Sequence, residues 1–84
     1  MGVFNPSKIL VTGGSGFIGS ILVADLFAAG HRVSIFDNCP SRNYPDLCII
    51  GDVRDKEKLT RSMQGIDVVY HLAAEHRDDV RPIE

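Results

Sequence analysis

Three glycines at a spacing of three residues, Gly13, Gly16 and Gly19, interrupt the stretch KILVTGGSGFIGSILV. A branched apolar run, KILVT, precedes them, and a second apolar run follows from Phe17. The first run is too short for a helix and does not alternate, so it reads as a strand buried on both faces. A strand of that kind turning through glycines into a helix leaves few architectures open, because both faces of its sheet must be covered.

The rest of the chain extends the pattern. Strands are expected over 8–12, 31–37, 46–52 and 66–74, and helices over 17–29 and 56–64. Gly30 and Gly65 follow the helices as left-handed C-terminal residues. Asp52 or Asp55 caps the second helix, and Pro40 and Pro45 break the loop before the third strand. Strands alternating with helices imply a parallel sheet. Right-handed crossovers that first add strands outward and then cross back give the order 3-2-1-4 with a helix on each face. The expected fold is α/β, half of a doubly wound sheet.

The first helix is apolar nearly all round, with Ile18, Leu22, Leu26 and Ala29 on one face and Ala24 and Phe27 on the other. Such a helix is covered on both sides, and with an apolar sheet edge at the fourth strand this points to a homo-oligomer or to further chain.

Composition narrows the function classes. The chain has 84 residues, enough for one domain with a small core. A net charge of −2 without a basic block gives nucleic-acid binding no electrostatic support. No apolar run is long enough to cross a membrane, and the start MGVFNPSK lacks the pattern of a signal peptide. With Cys39 and Cys48 read as reduced thiols, the expected location is the cytoplasm.

The glycine loop carries the chemistry. Gly13 allows a tight turn, Gly16 lets a pyrophosphate approach the backbone, and Gly19 lets the helix lie close on the strand. Free N–H groups at the helix start then face phosphates, aided by the helix dipole. No Lys-Ser/Thr pair follows, so the loop is not that of a nucleoside triphosphatase. Asp37 ends the second strand 18 residues after Gly19, near the spacing of an acid that binds the ribose hydroxyls of an adenine dinucleotide. That acid favours NAD over NADP, while Arg42 is a cation able to accommodate a 2′-phosphate. The alternative for Asp37 is a loop cap shared with Asn38.

The motifs TGGSGFIGS, FDN, GDVRD and VVYHLAA, in that order over residues 8–75, resemble the extended short-chain dehydrogenase/reductase superfamily, and most of all its NAD-dependent epimerase/dehydratase branch, which acts on nucleotide sugars. The resemblance implies a Rossmann-type fold, with residues 1–84 as the N-terminal part of an NAD(P)-binding domain. It also brings Phe17, Ile18 and Asn38 to the cofactor, assigns Asp52 and Val53 to the adenine, and runs Leu72, Ala73 and Ala74 beneath the cofactor. Asp52 as a helix cap stays open beside that role, as does His71 as a hydrogen-bonded strand end. The charged run over 75–79 reads as a solvated face, without a metal site.

Chemistry in this family needs a tyrosine with a lysine four residues later. Here Tyr44 is followed at that spacing by Cys48 and Tyr70 by Ala74. No catalytic residue is therefore expected in these residues, and the substrate-binding part is expected elsewhere in a longer parent. Two other readings share the motifs: a non-catalytic dinucleotide sensor, and a dehydrogenase of steroids or other alcohols.

Overall fold

A computed structural model describes residues 5–73 of the protein. Ala74 and the charged run over 75–79 lie outside the described residues. In order, the elements are β1 (Lys8–Thr12), α1 (Phe17–Ala28), β2 (Arg32–Asp37), a 3-10 turn (Pro45–Leu47), β3 (Cys48–Ile50), α2 (Lys56–Ser62) and β4 (Val68–His71). The four strands form one parallel sheet in the order β3-β2-β1-β4, the Rossmann-type arrangement expected from the sequence.

Central β1 is buried from Ile9 to Thr12, with only Lys8 exposed. Its alternating side chains feed two cores. On one face Ile9 and Val11 join Val33 and Ile35 of β2 and Val23 of α1, with Leu22, Leu26, Tyr44, Leu47 and Cys48 packed around them. Burying an aliphatic side chain of this kind stabilises the fold by roughly 2 kcal/mol. On the other face Leu10 and Phe36 are fully buried. There a side chain at Gly51 would lie 2.6 Å from the Phe36 ring and 3.2 Å from Lys58 Cδ, so the Lys58 stem of α2 reaches the face opposite α1.

Several boundaries differ from expectation, each for a local reason. The third strand is confined to Cys48–Ile50, because Pro45 opens a 3-10 turn that takes up Asp46 and Leu47. Rather than buried, Cys48 and Ile49 are half-buried and Ile50 is exposed. The buried face of α1 is set by Gly19 and Val23, flanked by half-buried Leu22 and Leu26. Ile18 is 68% exposed instead of packing on the sheet. An almost uniformly apolar helix has no periodic signal to fix its rotation, and the close approach at Gly19 fixes it instead. Gly30, at φ 94°, turns the chain out of α1. Asp55, not Asp52, caps α2, its carboxylate accepting from the Lys58 N–H at 3.1 Å.

β4 pairs with β1 from Ile9–Val68 to Thr12–His71. The turn before it is closed by Asp67, which accepts from the Lys8 N–H through Oδ2 and donates its own N–H to the Lys8 carbonyl. All four β4 residues are exposed, and among the described residues no strand pairs with its outer edge.

Candidate functional site

The carboxyl ends of the four parallel strands converge on the glycine turn. Gly13 continues the β1–β2 ladder, its N–H donating to the Phe36 carbonyl at 2.9 Å, and then leaves the strand at φ 78°. A Cβ at this position would lie 2.9 Å from the Ala73 nitrogen, so the end of β4 abuts the turn directly. At Gly19 a Cβ would run into the Gly13 carbonyl oxygen and approach Gly14 Cα to 2.8 Å. Both glycines are demanded by the fold.

Gly16 is different. Its backbone is extended, at φ −76° and ψ 179°, a conformation open to any residue. A Cβ there would meet only the Gly13 oxygen, at an ordinary 3.6 Å. Nothing among the described residues requires a glycine at that point. Beside it begins α1, which no side chain caps and whose first turn holds no acid. The amides of Phe17 and Ile18 therefore face out of the helix start without a protein acceptor among the described residues, where the helix dipole favours an anion.

Asp37 is tied to this turn. Its Oδ2 accepts from the Ser15 N–H at 2.9 Å and its Oδ1 from the Cys39 N–H at 3.1 Å. Ser15 Oγ in turn donates to the Cys39 carbonyl at 2.8 Å. Ser15, Asp37 and Cys39 thus form a closed clasp between the glycine turn and the end of β2. A carboxylate holding one amide on each oxygen keeps further lone pairs for hydroxyl donors. The loop reading of Asp37 is correct in that the Cys39 amide is capped; Asn38 itself is exposed.

Next along the strand ends, the Gly51 N–H donates to the Asp37 carbonyl at 2.9 Å and leads into Asp52 and Val53. The Asp52 carboxylate is engaged by the Arg54 guanidinium, at 2.7 Å from Nη2, and by the Arg54 N–H. Val53 is half-buried. Beyond β4, the Leu72 N–H donates to the Thr12 carbonyl at 3.0 Å. The buried Thr12 hydroxyl accepts from the Ala73 N–H at 3.3 Å and lies 2.8 Å from His71 Nδ1. His71 is therefore a hydrogen-bonded strand end.

A cavity of about 550 Å³ opens alongside, lined by Ser15, Gly16, Phe17, Ser20, Ile21, Ala24, Arg42 and Asn43. The structure gathers the expected residues Gly13, Gly16, Phe17, Ile18, Gly19, Asp37, Asn38, Asp52, Val53, Leu72 and Ala73 at one edge of the sheet. Sequence reasoning missed Ser15, Cys39 and Thr12. Ser15 had a weak signal, as a small hydroxyl donor inside the glycine turn; the other two had none.

A parallel sheet whose strand ends enclose a glycine turn and an uncapped helix start defines the Rossmann-type class of nucleotide-binding domain. Within that class the chain belongs to the NAD dependent epimerase/dehydratase family, whose model matches residues 9–83. It is 43% identical over 75 residues to an Escherichia coli N-acetyl-alpha-D-glucosaminyl-diphospho-ditrans,octacis-undecaprenol 4-epimerase, a match covering 89% of this chain and 22% of that protein. It is also 43% identical over 70 residues to a Mycolicibacterium neoaurum 3-beta-hydroxysteroid dehydrogenase, covering 80% of this chain and 19% of the relative. The crystal structure of Thermus thermophilus UDP-glucose 4-epimerase in complex with NAD superposes with a TM-score of 0.69 at 39% identity, over 80% of this chain and 24% of that one. The chain thus spans about a fifth of the length of the curated relatives it matches.

Proposed function

We propose that the chain binds NAD at the carboxyl edge of its sheet, as the dinucleotide-binding part of an oxidoreductase of the epimerase/dehydratase type. The observation that carries this reading is Gly16, a glycine that nothing among the described residues requires, set beside helix amides with no protein acceptor among those residues. A pyrophosphate lying against that backbone gives the position a reason to lack a side chain. In this reading Gly13 and Gly19 shape the turn, and the Phe17 and Ile18 amides meet the phosphates. Asp37, with Asn38 beside it, accepts from the adenosine ribose hydroxyls. Asp52 and Val53 bound the adenine, and Leu72, Ala73 and Ala74 belong to the stretch that passes under the cofactor, close to its pyrophosphate and ribose.

Bound NAD supplies a hydride acceptor. The chain's own residues bind and orient it, and none moves a proton, since neither tyrosine has a lysine four residues on. A protein of the relatives' length built on this part would act on a nucleotide sugar, in the cytoplasm and as a homo-oligomer. A steroid or related alcohol is the second reading for the substrate, favoured by the equal identity to the steroid dehydrogenase. Arg42 in the cavity beside Ser15 and Gly16 favours some tolerance of NADP.

Calorimetric titration of the chain with NAD and NADP, beside an Asp37→Ala variant, tests the proposal. The variant is expected to lose about tenfold or more in NAD affinity, the worth of a charge-assisted hydrogen bond, and to discriminate less against NADP. Equal NAD affinity in variant and parent would remove the ribose assignment.

A further inference from the structure

The clasp around Asp37 contains two thiols, which its role in holding a ribose does not use. Cys48, at the start of β3, places Sγ 3.6 Å from the Cys39 carbonyl oxygen and 3.7 Å from Ser15 Oγ. Cys39 is exposed and Cys48 half-buried, and both are free thiols. The main chain of Cys39 is therefore already in contact with the sulfur of Cys48, while its own side chain stands in solvent. The same Cys39 supplies the N–H that holds Asp37 Oδ1 and the carbonyl that accepts from Ser15.

We propose that Cys39 and Cys48 are a reversible disulfide site whose closure dismantles the Asp37 clasp; its consequence for dinucleotide affinity rests on the NAD reading above. The oxidant is a low-molecular-weight disulfide. The exposed Cys39 thiolate attacks one of its sulfurs, forming a mixed disulfide and releasing one small thiol. Cys48, as its thiolate, then attacks Cys39 Sγ and displaces the second. Two protein thiols and one small disulfide become one protein disulfide and two small thiols, so electrons and protons balance.

Closure and the clasp compete for the same residue. A disulfide needs the two sulfurs bonded at about 2 Å with Cβ atoms roughly 4 Å apart. In the reduced chain the Cys39 carbonyl faces Cys48 Sγ, and Cys39 is exposed. Bringing Cys39 Sγ into that place turns the carbonyl away from Ser15 Oγ and draws the Cys39 N–H off Asp37. The carboxylate that would receive the ribose then loses one of the two amides that aim it. Reduction restores both.

The test uses isotopically labelled chain treated with oxidised glutathione, followed by mass spectrometry, thiol alkylation and amide NMR. The expected product is a chain two hydrogens lighter with no covalent link to a second copy, with no alkylatable thiol and a peptide cross-linked between Cys39 and Cys48. The Ser15 and Cys39 amide signals shift, NAD affinity falls about tenfold, a typical coupling between sites, and a reductant reverses all of it. Cys48→Ala forms no internal disulfide under the oxidant and instead retains a glutathione adduct on Cys39, because the resolving thiol is gone. In the parent chain, a persistent glutathione adduct or a disulfide-linked dimer in place of the internal bond would overturn the site. An internal disulfide that leaves the two amides and the affinity unchanged would overturn its link to Asp37. If the disulfide forms and the amides move but the reduced chain binds no NAD, the site stands and the dinucleotide reading falls.

Discussion

At Gly19 a side chain has nowhere to go, since a Cβ there collides with the Gly13 carbonyl and crowds Gly14 Cα. At Gly16 the same Cβ meets only the Gly13 oxygen, at an ordinary 3.6 Å. The two glycines therefore separate folding from binding. Gly19→Ala is expected to destabilise the chain by about 2 kcal/mol, the usual scale of overpacking against backbone that cannot yield, read as a lower urea midpoint. Gly16→Val is expected to keep the helical circular dichroism and urea midpoint of the parent while losing NAD binding. A Gly16→Val chain with unchanged NAD affinity, or a Gly19→Ala chain as stable as the parent, would break that separation.

Among the elements, α2 is the most sensitive to a single side chain. It has seven residues and no buried position, so propensity and packing give it little, and the Asp55 cap carries weight. Asp55→Ala is expected to cost about 1 kcal/mol, the usual worth of such a cap. Asp52→Ala leaves the cap in place while removing the solvent-facing ion pair with Arg54, a kind of pair worth under about 1 kcal/mol. Equal losses in denaturant titrations of the two variants would mean that the cap is misassigned. The elements also show what the sequence could reveal. β1 was legible because a strand covered on both faces reads as a continuous apolar run, here Ile9–Val11 between Lys8 and Thr12. The strand order followed from the handedness of the crossovers. The face of α1 was not legible, since a helix apolar on all sides looks alike from every angle until Gly19 is seen against Gly13. The clasp was hidden too, because whether Ser15 reaches Asp37 and Cys39 depends on where β2 ends relative to the glycine turn.

For the molecule as a whole, the unbalanced quantity is apolar surface. Phe17 is 84% exposed and Ile21 and Phe27 about half exposed on α1, and Val68, Val69 and Tyr70 stand exposed on β4, whose outer edge pairs with no strand among the described residues. A chain with an open sheet edge beside apolar side chains associates with whatever completes it. Sedimentation velocity is expected to show dimers or larger species of the chain, reduced by Val68→Lys at the edge; a stable monomer at high concentration would contradict this. Among the described residues no helix is long and apolar enough to cross a membrane, so that surface is not a membrane-spanning helix. The most direct test of the account as a whole is a titration of the isotopically labelled chain with NAD, followed by amide NMR. Saturable shifts are expected at Gly13, Ser15, Gly16, Phe17 and Ile18, at Asp37 and Asn38, at Asp52 and Val53, and at Leu72 and Ala73, with Lys56–Ser62 unmoved. Absence of saturable shifts in a folded chain, or shifts centred on the α2 face, would contradict it.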